Sequence, residues 1–93
     1  MTLPETEVLE FTDVATVEVT VYKLVVFNDD INTFDHVIST LCNVCGHSPE
    51  QAEQCATIIH YKGKCVVKTG DWEKMAGMRQ QICRAGILAE VME

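Results

Sequence analysis

At 93 residues, with 47% hydrophobic and 23% charged side chains, the chain has the composition of one small globular domain rather than a disordered segment. A formal charge of −7 leaves no basic stripe for phosphates and argues against nucleic-acid binding; no apolar run approaches the roughly 20 residues that span a bilayer. The five cysteines are odd in number and follow no secretory leader, which argues against a disulfide framework and for a cytoplasmic address.

Residues 1–20 read as a flexible acidic N-terminal extension. Glu5, Glu7, Glu10, Asp13 and Glu18 all precede the first basic residue, Lys23, and no helical apolar stripe runs among them. The alternation across residues 16–20 leaves the start of the first strand soft. Residues 21–93 are expected to form the folded core. Within them, 21–27 are β-branched and aromatic and predict a strand.

A first helix is predicted over 33–45, burying Phe34, Val37, Ile38, Leu41 and Val44, with Asn32 as N-cap and Gly46 as left-handed stop. The run Ser48-Pro49-Glu50-Gln51 is a capping box. It opens a second helix that faces inward with Ala52, Cys55, Ala56 and Ile59 and stops at Gly63. Residues 64–69 predict a second strand. Asp71 then caps a third helix, with Trp72, Met75, Ala76, Arg79, Ile82 and Cys83 on one side, ending near Gly86. Residues 87–92 complete a third, short strand. The order β-α-α-β-α-β belongs to the α/β class, as an α+β sandwich with three helices on one face of a small three-stranded sheet.

Few residues here carry catalytic chemistry. Asp29 and Asp30 are sequence neighbours whose side chains diverge in extended backbone, which suits no acid–base pair. Asp30-x-Asn32 begins like a calcium loop but lacks its glycine and closing glutamate. Cys42-x-x-Cys45 with His47 is half of a zinc site without the other half, and these thiols fit better as small buried hydrophobes. Trp72 and Met75 read as packing residues. With no phosphate loop and no serine elbow, neither an enzyme nor a metal or cofactor is expected.

Binding chemistry is easier to assemble. Asn28, Asp29 and a neutral His60 each supply a hydrogen-bond acceptor, and three converging acceptors suit an ammonium group, which only donates. The same residues also fit plainer roles: Asn28 and Asp29 closing a turn or capping a helix, His60 opposing a helix dipole. On residue chemistry alone both remain open.

Two segments in register shift the balance between them. Val26-Phe27-Asn28-Asp29-Asp30 and Ile59-His60-Tyr61-Lys62-Gly63-Lys64, on this order of elements, resemble the ClpS family of ATP-dependent Clp protease adaptors across about residues 22–88. The resemblance implies a non-enzymatic, monomeric adaptor without a cofactor. Such an adaptor reads N-degrons by their free α-amino group and bulky hydrophobic first side chain. It delivers them to a Clp AAA+ unfoldase, ClpA-like or ClpC-like, at that partner's N-terminal domain. By the same resemblance Asn28, Asp29 and His60 hold the α-amino group, and Asn32, Phe34, Val37, Ala56, Ile59 and Ile87 line the side-chain pocket. Phe34 replaces the methionine common in the family, and Ala56 replaces a longer apolar residue, so the pocket is expected to be reshaped. The acidic extension corresponds to the family's delivery segment, with a solvated, solubilising tail as the alternative. The competing readings are a protein-interaction or ribosomal-type domain of the same topology, and a cysteine-based metal or redox protein.

Overall fold

A computed structural model describes residues 19–93, so that most of the expected N-terminal extension, residues 1–18, lies outside the described residues. The elements are β1 (Tyr22–Phe27), α1 (Phe34–Cys45), α2 (Pro49–Lys62), β2 (Lys64–Gly70), α3 (Trp72–Arg84) and β3 (Ala89–Met92). The order is the expected β-α-α-β-α-β. β1 is the middle strand of an antiparallel sheet ordered β2-β1-β3. Its inward residues Leu24 and Val26 are fully buried against Leu41 of α1, Ala52 and Ile59 of α2, and Met75 and Ile82 of α3. All three helices therefore close over that one face.

The pairing of β1 with β2 slips between Leu24, opposite Lys68, and Val25, opposite Val66. Val67 is the extra residue of a bulge, which turns its side chain into the core. Its carbonyl accepts from His47 Nε2 at 2.8 Å. His47 is buried, and among the described residues its Nδ1 has no partner. Among the described residues no three His, Cys, Asp or Glu side chains gather as a metal would need.

Helix ends largely follow their capping residues. Ser48 accepts from the Gln51 N–H at 3.1 Å and Asp71 from the Lys74 N–H at 2.8 Å. Gly46, Gly63 and Gly86 all adopt positive φ just past a helix. The first helix corrects the expectation by one residue. Thr33, not Asn32, is its N-cap, accepting from the His36 N–H at 3.1 Å, because the Asn32 amide is engaged elsewhere. Phe34, expected on the buried face, is 41% exposed, and Trp72 is 54% exposed, with its ring set edge-on to Tyr22 at 5.4 Å. The third strand begins two residues later than predicted, since Ile87 belongs to the stop of α3. There its N–H reaches the Ile82 carbonyl while Gly86 N–H reaches Cys83, a Schellman pairing that draws Ile87 inward. No helix among the described residues is long and apolar enough to cross a membrane.

Candidate functional site

The C-terminal end of β1 and the end of α2 meet through backbone. The Gly63 carbonyl accepts from the Asn28 N–H at 2.9 Å, and the Gly63 N–H bonds back to Ile59 at 2.9 Å. Glycine's left-handed φ of +94 makes that junction, so the segment after β1 is set beside the last turns of α2. Between them lies a cleft of about 330 Å³. Its polar side holds Asn28, Asp29, Asp30, Asn32 and His60; its apolar side is Phe34, Val37, Ala56 and Ile59.

Eight of the nine residues expected at the site are thus brought together. Ile87 is the exception. At 3% exposure it sits in the core and stands outside the lining, for the reason given by the stop of α3. Asp30, which in the sequence offers only an incomplete calcium loop and a diverging carboxylate neighbour, lines the cleft as well. A broader hollow of about 560 Å³ lies along α2 over Glu50, Glu53, Gln54, Thr57 and Ile58, none of which lines the cleft.

Asp29 is held firmly. Oδ1 accepts from the backbone N–H of Ile31 (2.9 Å) and of Asn32 (2.8 Å), and Oδ2 accepts from Asn32 Nδ2 at 2.7 Å. The backbone N–H of Asn32 and then its side chain hold the carboxyl below the usual carboxylate range of 3.8, with smaller help from Ile31 and His36 against a small desolvation cost. Asp29 is therefore an anion near neutral pH. A carboxylate offers about four lone-pair positions, so three internal bonds leave about one free for anything entering the cleft. Asp29 also has the plainer turn-closing role, since the bonds from Ile31 and Asn32 close a turn.

His60, in the last turn of α2, is exposed, and its ring packs edge-on against Tyr61 at 4.9 Å. Across the cleft, Ala56 is 3% exposed and recesses the apolar wall, whereas Phe34 stands partly out of it. The arrangement combines an anion, further acceptor groups and an adjoining apolar recess.

A family profile described as "ATP-dependent Clp protease adaptor protein ClpS" matches residues 18–88. The chain belongs to the ClpS family. Among curated ClpS adapter proteins it is 33% identical over 73 residues to that of Thermosynechococcus vestitus, covering 77% of this chain and 78% of the relative. To that of Nostoc sp. it is 36% identical over 73 residues, covering 77% and 75%. To that of Campylobacter jejuni it is 31% identical over 87 residues, covering 94% and 88%. The ClpS fold itself is matched by the structure of Agrobacterium tumefaciens ClpS2 bound to L-phenylalaninamide. The TM-score is 0.74 at 18% identity, covering 76% of this chain and 93% of that one.

Proposed function

We propose that this member of the ClpS family is a non-catalytic adaptor that captures N-degrons in the cleft between β1 and α2 and hands them to a Clp AAA+ unfoldase. The observation that carries the reading is the joining of an ionised, preorganised Asp29 to an apolar recess in one small cleft. An α-amino group has a pKa of about 7.7–8.0, so at neutral pH much of it is a cation with three donors. Asn28, the free lone pair of Asp29 and the His60 ring supply one acceptor each, which fixes where the chain begins. The first side chain then enters the recess walled by Phe34, Val37, Ala56 and Ile59. Full burial of a Leu or Phe side chain stabilises by about 1.5–3 kcal/mol. An internal peptide bond offers no ammonium and leaves the acceptors unpaired, so ordinary chain is rejected.

Support also comes from the related ClpS2, whose bound L-phenylalaninamide combines a free amino group with an aromatic side chain. The proposed adaptor acts as a cytoplasmic monomer on a ClpA-like or ClpC-like partner, with residues 1–20 taking part in delivery.

Calorimetric titration with otherwise identical peptides beginning Leu, Phe, Arg and acetyl-Leu tests the reading. Leu and Phe peptides should bind, and Arg and acetyl-Leu peptides should not. Equal affinity for Leu and acetyl-Leu would sink the ammonium site and return Asn28, Asp29 and His60 to turn-closing and helix-end roles.

A further inference from the structure

We propose that Asn32 and His36 are positioning residues that clamp the cleft loop onto the Ala85-Gly86 stop just past α3 and thereby aim Asp29. Asn32 Nδ2 donates both to Asp29 Oδ2 at 2.7 Å and to the Gly86 carbonyl at 2.9 Å. Four residues on, His36 Nε2 donates to the Ala85 carbonyl at 2.8 Å. Both carbonyls and the carboxylate accept only, so the partners themselves fix the Asn32 amide orientation and the Nε2–H form of His36. These bonds join residues 54 and 49 positions apart in sequence.

Each group in the clamp meets a need of the other. Ala85 and Gly86 follow the last residue of α3, and the Ala85 cap carbonyl lies at the negative end of the helix dipole, where a donor is favourable. In return, the Ala85-Gly86 stop anchors an otherwise short connection between β1 and α1. His36 sits in the first turn of α1, with its own N–H bound to the Thr33 cap, so the anchor reaches the start of that helix. Asp29 is thus fixed from two sides, with its turn held by backbone N–H groups and its second oxygen held by an amide that Gly86 holds in turn. Ordering the acceptor before a ligand arrives removes a cost that binding would otherwise carry.

This role rests on the reading that Asp29 meets an α-amino group, so the test has one arm that needs no ligand. In the free protein, carboxyl NMR should show the Asp29 titration in Asn32→Ala moving up toward the ordinary 3.8, since the Asn32 side chain is a main cause of its depression. Affinity for a Leu-initiated peptide should fall about tenfold in Asn32→Ala, equivalent to about 1.4 kcal/mol. His36→Ala should lose several-fold, and His36→Gln, which keeps an N–H donor for Ala85, should recover most of that loss. If Asn32→Ala does not fold, Asn32→Ser, too short to span both acceptors, replaces it in both arms. An unmoved Asp29 titration, or His36→Gln as weak as His36→Ala, overturns the clamp. A wild-type protein that binds no Leu peptide removes the adaptor reading and the clamp's part in it, while the titration alone still decides whether Asn32 sets Asp29.

Discussion

Burial acts on thiols and on pocket shape one residue at a time. Desolvation pushes the Cys45 thiol from 9.0 to about 11, and Cys65 likewise, the latter also through Coulombic and hydrogen-bond contact with Cys55. Free thiols at these positions therefore stay protonated and slow to react at neutral pH. The sign for stability follows from proton binding. Between pH 9 and 11 the unfolded thiols ionise while the folded ones keep their protons, so stability is full below pH 9 and falls as pH rises through that window. Urea unfolding under reducing conditions should show a drop from pH 8 to pH 10, and Cys45→Ala should flatten it. A second prediction concerns Ala56, buried at the back of the cleft wall. Ala56→Leu should fill the recess and reduce affinity for Trp- and Phe-initiated peptides more than for Leu-initiated ones, measured by competitive titration. Equal losses for all three would place the first side chain elsewhere.

Among the elements, the end of α2 carries the most consequence for the cleft. Gly63 has φ +94 and open space around a built Cβ, so Gly63→Ala suffers conformational strain without a clash, about 1–2 kcal/mol. Because its carbonyl holds Asn28, chemical unfolding should register that loss and peptide titration should weaken with it. Gly77 provides the contrast. It lies inside α3 at ordinary helical φ, again with no atom within 4 Å of a built Cβ, so Gly77→Ala should stabilise by about 0.5–1 kcal/mol and leave peptide affinity unchanged. Helix existence and stops were readable because caps and glycines act locally. The start of α1 was misplaced by one residue because both Asn32 and Thr33 are competent N-caps. Asn32 is drawn away by Gly86, a partner 54 residues distant that no local pattern announces.

For the whole molecule, capture and delivery are proposed to use different parts of the chain. Deleting residues 1–14 removes acids and none of the buried core among the described residues. The shortened chain should unfold at the same urea concentration and bind Leu peptides as before. It should fail to support degradation of a Leu- or Phe-initiated reporter by the Clp protease. Undiminished degradation would return the segment to a solvated leader, and lost peptide binding would show that it belongs to the folded unit.

The sequence by itself determined the order of elements, the inward face of α2, and the segments that mark the ClpS family. These depend on periodicity, capping and short spacings, all carried by neighbouring residues. It also named most of the cleft, since Asn28 to Val37 and Ala56 to His60 are two short continuous stretches. Only the tertiary structure decided what those side chains do with one another. Asp29 has most of its acceptor capacity already taken, Asn32 and His36 reach the Ala85-Gly86 stop past α3, and Ile87 turns into the core rather than the cleft. For Asn32 and His36 the winning partner comes from a segment that is distant in the chain until the helices close over the sheet, whereas Asp29 and Ile87 are held by bonds among near neighbours whose competition for partners and buried space no spacing pattern ranks.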